Sequence, residues 1–272
     1  MSAEKQELKG LLSDVQKLLK QEQELYGNTL FRSSPKDVPS SMPAMKKQEI
    51  PIVEQDLFGN SPILMKPRMN APAVSARDYP GEPWVAADSL TRLNEMICNC
   101  TKCALGHTRT NFVFGVGNPN AGLVLVGEAP GAEEDLQGEP FVGRAGQLLN
   151  KILEAINFKR EEVYICNILK CRPPNNRDPQ PEEIASCEPH LWKQLELIKP
   201  KIILCLGRIA AQVLLKTNDS LNNLRGKVHD YRGIKLMVTY HPAALLRNPN
   251  WKRPAWEDVQ KVRKLYDEMK NV

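Results

Sequence analysis

Three side chains with acid–base or hydrogen-bonding chemistry stand at the ends of apolar runs. Glu128 follows Leu123-Val-Leu-Val-Gly127, Asn167 lies late in Val163-Tyr-Ile-Cys-Asn-Ile-Leu169, and His241 follows Ile234-Lys-Leu-Met-Val-Thr239; a fourth run, Lys201-Ile-Ile-Leu-Cys-Leu206, stops at Gly207-Arg208. Short β-branched and leucine-rich runs closed by glycine or a turn read as buried strands. In an open parallel sheet the ligand cleft lies beyond the carboxyl ends of the strands, so a carboxylate, a carboxamide and an imidazole are expected along one edge. A carboxamide carries a donor and an acceptor side by side, which suits the carbonyl and ring N–H of a pyrimidine. Phe141 offers a face on which such a ring can stack, and His241 could stabilise negative charge on a departing base. Each also has a plainer reading: Glu128 as a helix cap, Asn167 as a partner for strand-end backbone, His241 as a turn residue before Pro242, Phe141 as a hydrophobic plug. Their joint arrival at one edge favours base recognition.

Two cysteine pairs form a second constellation. Cys100-x2-Cys103 is matched at a distance by Cys171-x15-Cys187, and the second pair flanks Arg172-Pro-Pro-Asn-Asn-Arg177. The polar start and the lack of any apolar stretch near the ~18 residues of a membrane span lead us to expect a soluble, cytoplasmic protein with no membrane partner. In that reducing setting clustered cysteines point to metal rather than disulfides. Four thiolates could hold zinc or an iron–sulfur cluster, and spacing alone leaves both open. Cys166 and Cys205, mid-strand, read as small buried residues, and Cys98 as a bystander. Gly115-Val-Gly117 precedes its strand and lacks a third glycine, and there is no Gly-Lys-Ser/Thr, so dinucleotide and P-loop sites are disfavoured.

Positioning these groups requires a framework of alternating strands and helices. Helices are expected from Ser89, as N-cap, to Met96, from Gly146 to Asn157, from Pro181 to Ile198, from Arg208 to Leu215 and from Ala255 to Met269. With the four runs above they give a three-layer α/β/α domain over 86–272, built on a central, mainly parallel four-stranded sheet. Ahead of it, leucines at three- and four-residue steps mark an amphipathic helix over 1–25, and a proline-rich stretch over 26–85 reads as a linker. Within the linker, Glu54-Gln-Asp-Leu-Phe58 resembles a bacterial sliding-clamp-binding peptide, with Glu54 where that motif has Gln. The net charge is +5, and its positive excess falls entirely after residue 90. The folded part is therefore the basic part, which permits a polyanionic partner.

Taken together, Gly127-Glu-Ala-Pro-Gly131 with Glu133-Glu-Asp135, Pro140-Phe-Val-Gly-Arg-Ala-Gly146, Asn167-Ile-Leu-Lys-Cys-Arg-Pro-Pro174 and Tyr240-His-Pro-Ala-Ala-Leu-Leu-Arg247 resemble the family 4 uracil-DNA glycosylases over roughly residues 86–270. The resemblance implies a DNA-repair hydrolase that flips uracil out of single- or double-stranded DNA and cleaves its N-glycosidic bond, starting base excision repair. It implies a 4Fe-4S cluster on Cys100, Cys103, Cys171 and Cys187. It further implies that Glu128 helps place the hydrolytic water, Phe141 stacks on uracil, Asn167 reads its edge, His241 stabilises the leaving anion, and Glu134 helps reject thymine beside Gly127; Glu134 is added by the resemblance alone. Leu245 or Leu246 would fill the vacated stack or else anchor the loop in the core. Arg247 would lie near a phosphate, and the cluster would set the Arg172–Arg177 loop against DNA. A related branch forms a covalent histidine adduct and carries Gln in place of Ala129 plus a basic insertion before the second cysteine pair; Ala129 and the lack of that insertion favour ordinary hydrolysis, and a monomer is expected. An iron–sulfur electron carrier and a catalytically idle DNA-binding protein are the competing classes.

Overall fold

The computed structural model describes residue 79 and residues 81–270. The expected N-terminal helix, nearly all of the linker and the Glu54–Phe58 segment lie outside the described residues. Packing begins a little before residue 86, because Pro83–Ala86 forms a 3-10 turn that buries Trp84.

The elements run α1 (Leu90–Ile97), β1 (Val116–Gly117), β2 (Leu123–Gly127), α2 (Ala132–Gln137), α3 (Arg144–Ala155), β3 (Tyr164–Asn167), α4 (Pro181–Ile198), β4 (Ile202–Leu206), α5 (Arg208–Leu215), α6 (Leu221–Leu224), β5 (Val228–Tyr231), β6 (Ile234–Thr239), α7 (Pro242–Arg247) and α8 (Lys252–Lys270). Ser89 caps α1 by accepting the Arg92 N–H, and Pro181 opens α4 ahead of Glu182 and Glu183, where acidic side chains favour a helix start.

The sheet has six strands in the order β1-β3-β2-β4-β6-β5. Its four central strands are the expected ones and are mutually parallel. The expectation of four strands is corrected by two antiparallel edges, β1 and β5. Neither has a strand's sequence signature. β1 is two residues long and includes a glycine, and β5 is Val-His-Asp-Tyr with only Tyr231 buried.

Side-chain alternation along the strands sorts the core into two layers. Val124, Val126, Cys166, Ile203, Cys205, Leu236 and Val238 face α4 and α5 through Ile184, Leu191, Leu195, Ala210 and Val213. Leu123, Leu125, Ile165, Leu204 and Met237 face α3 and α8 through Leu149, Leu153, Val259 and Val262. Strands covered on both faces must be apolar on both, which is why they appear in the sequence as continuous runs. A buried carboxylate latches α8 to the sheet: Asp258 accepts Thr239 Oγ1 at 3.0 Å and Arg225 through Nε at 2.9 Å and Nη2 at 3.0 Å.

Register places the strand ends together. Gly127 is level with Asn167, and Leu206 with Thr239, while the Gly207 N–H donates to the Thr239 carbonyl at 2.9 Å. The order β3-β2-β4 reverses the direction of winding at β2, so the crevice characteristic of open α/β sheets opens at its carboxyl end.

Candidate active site at the strand ends

The floor of the site is made by three residues in contact. Gly127 closes β2, and a Cβ on it would lie 2.3 Å from Asn167 Oδ1 and 2.8 Å from Phe141 Cε2 and Cζ. Only a residue with no side chain admits both neighbours. Asn167 is 2% exposed, yet among the described residues its buried Oδ1 has no hydrogen-bond partner. A buried amide oxygen left unsatisfied costs on the order of 1–3 kcal/mol, and such an atom at a strand-end crevice is an acceptor awaiting a ligand donor.

Phe141 is held in a conformation that a bulky side chain seldom adopts, with φ at 54°. The surrounding structure imposes it. Glu134 Oε1 accepts the N–H groups of Val142 and Gly143, both at 3.1 Å, while its Oε2 accepts that of Gly131 at 3.1 Å. On the other side of Phe141, Arg160 Nη2 donates to the Pro140 carbonyl at 2.6 Å while its Nη1 holds Asn150 Oδ1 at 3.0 Å. Gly146 in α3 leaves room for the Phe141 carbonyl, which would sit 1.8 Å from a Cβ there. Glu134, known from the sequence only through resemblance, thus splints the pocket loop with its whole carboxylate. Arg160 had no sequence signal at all, since its partners lie 10 and 20 residues away.

His241 caps α7, and its Nδ1 accepts the Ala243 N–H at 3.2 Å. The proton of the neutral ring then resides on Nε2, free to be donated. Some surface of the residue remains accessible, but the ring is deep enough that burial, with help from Arg247, brings its pKa down to about 4 against an opposing effect of Glu134. The ring centroids of His241 and Phe141 are 5.4 Å apart, with the planes inclined at 31°. Glu128 has the opposite shift. Burial and the neighbouring Asp178 push its pKa up to about 7, while Arg208 and Arg247 pull it down. Asp178 itself pairs with Arg208 at 3.3 Å. It went unnoticed in the sequence because it lies in a loop with no pattern of its own.

Of the two leucines in α7, Leu245 is 2% exposed and packs with Tyr240 and Ala255, whereas Leu246 is 40% exposed. Arg247 is exposed beside it. In the Arg172–Arg177 loop the two arginines differ. Arg172 Nε donates to Asn176 Oδ1 at 2.8 Å. Arg177 instead turns both arms on the nearly buried carboxylate of Glu183, at 2.9 and 2.6 Å, so its fork closes the loop onto α4.

Four of the cysteines form a second group. Cys171 lies within electrostatic range of Cys103 and Cys100, and Cys187 within range of Cys171 and Cys100. Two donors aim at sulfur: Arg109 Nη1 to Cys171 Sγ and the Lys170 N–H to Cys187 Sγ, each at 3.3 Å. Arg109 also donates to the carbonyls of Cys100 and Cys98 at 2.5 and 3.1 Å, joining the two halves of the cysteine frame. Burial pushes the Cys187 thiol up to about 12. Among the described residues, no group of three or more His, Cys, Asp or Glu side chains is drawn tightly around one point suited to a metal ion. Cys166 and Cys205 are buried within strands, as their positions imply.

A mainly parallel α/β sheet thus gathers an unsatisfied amide, a splinted aromatic ring and a neutral imidazole at its strand ends. In keeping with this, residues 114–260 match the uracil DNA glycosylase superfamily. A type-4 uracil-DNA glycosylase of Archaeoglobus fulgidus is 47% identical over 186 residues, covering 65% of this chain and 94% of that protein. Those of Sulfurisphaera tokodaii and Thermotoga maritima are each 45% identical, over 65% and 63% of this chain and 85% and 91% of theirs. The chain belongs to the type-4 uracil-DNA glycosylases of that superfamily.

Proposed function

We propose that this chain repairs DNA by excising uracil through hydrolysis of its N-glycosidic bond. The observation that carries the reading is the partnerless Asn167 Oδ1 set against Gly127 and Phe141. A flipped uracil supplies what is missing there: its ring N–H donates to Oδ1, its neighbouring carbonyl accepts from Nδ2, and its face lies on Phe141. His241 Nε2–H stands ready for the oxygen on which charge gathers as the base departs. The C1′–N1 bond breaks with its electron pair moving to uracil, a water oxygen bonds to C1′, and Glu128 as carboxylate orients that water and receives its proton. Leu246 is the side chain with the exposure needed to fill the vacated stack, and Arg247 and Arg172 supply the positive charge for phosphates. Leu245 is an anchor of α7.

Cys100, Cys103, Cys171 and Cys187 are the residues that would hold a 4Fe-4S cluster, and the two N–H donors aimed at sulfur suit thiolate ligands. When bound, the cluster would cross-link the 98–103 segment to the 171–187 segment. Arg109 reinforces the same junction, and Arg177 seats the intervening loop.

The test is an end-labelled oligonucleotide with a single uracil, incubated with the protein and resolved with and without alkali. Strand breakage at uracil only after alkali is expected, with none at thymine. An intact strand from a preparation with full iron content overturns the enzyme reading, and a stable protein–DNA adduct replaces hydrolysis by covalent capture.

Two consequences concern individual groups. Because Glu128 acts as carboxylate and is held at about 7, kcat/KM is expected to rise with pH through that value, and Glu128→Gln is expected to be slow and flat across it. A parent profile with no inflection near 7 removes Glu128 from the role. Asn167→Asp replaces a donor with an acceptor, and uracil excision is expected to fall about 10²-fold, with lost preference over cytosine, as is usual when a polar readout is mismatched. Single-turnover excision from matched uracil and cytosine substrates measures it.

A further inference from the structure

Lys170 has no part in the reaction described above, yet it is wholly buried, at 0% exposure. A buried ammonium is costly unless its hydrogen bonds are met, and a methionine would fill the same space without that cost. Two of its donors are met among the described residues. Nζ donates to the Asn167 carbonyl at 2.8 Å and to Gln194 Oε1 at 2.6 Å. Gln194 is in turn fixed by its Nε2, which donates to the Phe114 carbonyl at 3.0 Å and the Tyr164 hydroxyl at 3.2 Å. The main chain of Lys170 is bound as well: its N–H donates to Cys187 Sγ at 3.3 Å and its carbonyl accepts from Val113 at 2.9 Å.

The sheet leaves a place for such a brace. β1 pairs with β3 only at Tyr164 and Ile165, so among the described residues no strand reaches Asn167 from that edge. On the other side β2 holds the chain through Gly127 and Glu128, whose carbonyls accept from Ile168 and Leu169. The end of β3 is therefore secured by the ladder on one side and by the lysine on the other.

We propose that Lys170 is a positioning residue for uracil excision: it fixes the end of β3, and with it the Asn167 carboxamide, against α4 and the Cys171–Cys187 segment. Seating of the cysteine frame is thereby transmitted to the amide that reads the base. The inference rests on the glycosylase reading, and uracil release by the parent protein under the same conditions tests that reading separately.

The experiment uses the full chain in its iron-loaded form, with Lys170→Met, Gln194→Leu and each of these combined with Asn167→Ala. Iron per chain, kcat and KM on a uracil oligonucleotide, and inhibition by free uracil are measured. For Lys170→Met the expected result is parent iron content, an unchanged KM for DNA, and a loss of about tenfold in both kcat and free-uracil inhibition, as for a displaced binding group. Gln194→Leu shifts the same two quantities in the same direction by about threefold. In the Asn167→Ala background neither substitution lowers uracil inhibition further, because the group they position is gone. Parent-level uracil inhibition in both single variants overturns the proposal. So does a Lys170→Met protein that loses iron while Gln194→Leu inhibits normally, since the lysine would then serve the cysteine segment alone. If Lys170→Met does not fold, uracil inhibition of Gln194→Leu, with and without Asn167→Ala, decides the matter.

Discussion

His241→Ala is expected to bind uracil-containing DNA as the parent does and to lose about 10²–10³-fold in single-turnover excision, the usual cost of removing one donor to a developing oxyanion. The size follows from preorganisation. Nδ1 is already committed to the Ala243 N–H, so the ring presents Nε2–H without rotating or changing tautomer when charge develops. The depressed pKa keeps the ring neutral across the working range, so it enters the reaction as a dipole rather than a cation. Leu246 and Arg247 are exposed, and the DNA contacts proposed above fall on them rather than on the imidazole. Binding measured by fluorescence anisotropy and excision measured by quench should therefore separate. Parent-rate excision by His241→Ala would remove the imidazole from the mechanism.

Gly127→Ala is expected to be as damaging, although it adds one methyl group. That methyl must occupy space 2.3 Å from Asn167 Oδ1 and 2.8 Å from the Phe141 ring, so the carboxamide and the ring must both shift. Phe141 is splinted through Glu134 and Arg160, and Asn167 is tied to Gly127 by strand register. Overpacking of this kind costs about 1–3 kcal/mol of stability, and here the displaced groups are also the ones that grip the base. Excision is expected to fall by at least about 10²-fold, with weaker inhibition by free uracil and DNA affinity close to parent, because roughly 1 Å of misplacement suffices for that loss. Unaltered uracil inhibition in a folded Gly127→Ala protein would mean that the pocket is not where we place it.

What the sequence disclosed and what it hid follow from the range of the interactions. The four central strands were legible because both faces of each are covered, leaving uninterrupted apolar runs, and α4 and α5 were legible from Pro181 and Gly207 at their starts. Glu128, Asn167 and His241 were reachable because strand ends in such sheets converge. The edge strands were hidden, since β1 is short and β5 half polar. Choosing between Leu245 and Leu246 required burial, which adjacent residues of one type do not encode. The pairing of Arg177 with Glu183, the splint made by Glu134, the Arg160 contact with Pro140 and the Asp178–Arg208 pair all join separate segments, and no local spacing announces them.

The latch between Asp258 and Thr239 makes the end of β6 dependent on the last described helix. Thr239 lies two residues before His241, and its hydroxyl and Arg225 are held by a carboxylate from α8, which follows every other described element in the chain. Domains are made from the amino end forward and fold as units. Truncation before Asp258 therefore strips the Thr239 hydroxyl and Arg225 of their shared carboxylate as well as uncovering one face of the sheet, so the end of β6 is expected to lose order together with the helix.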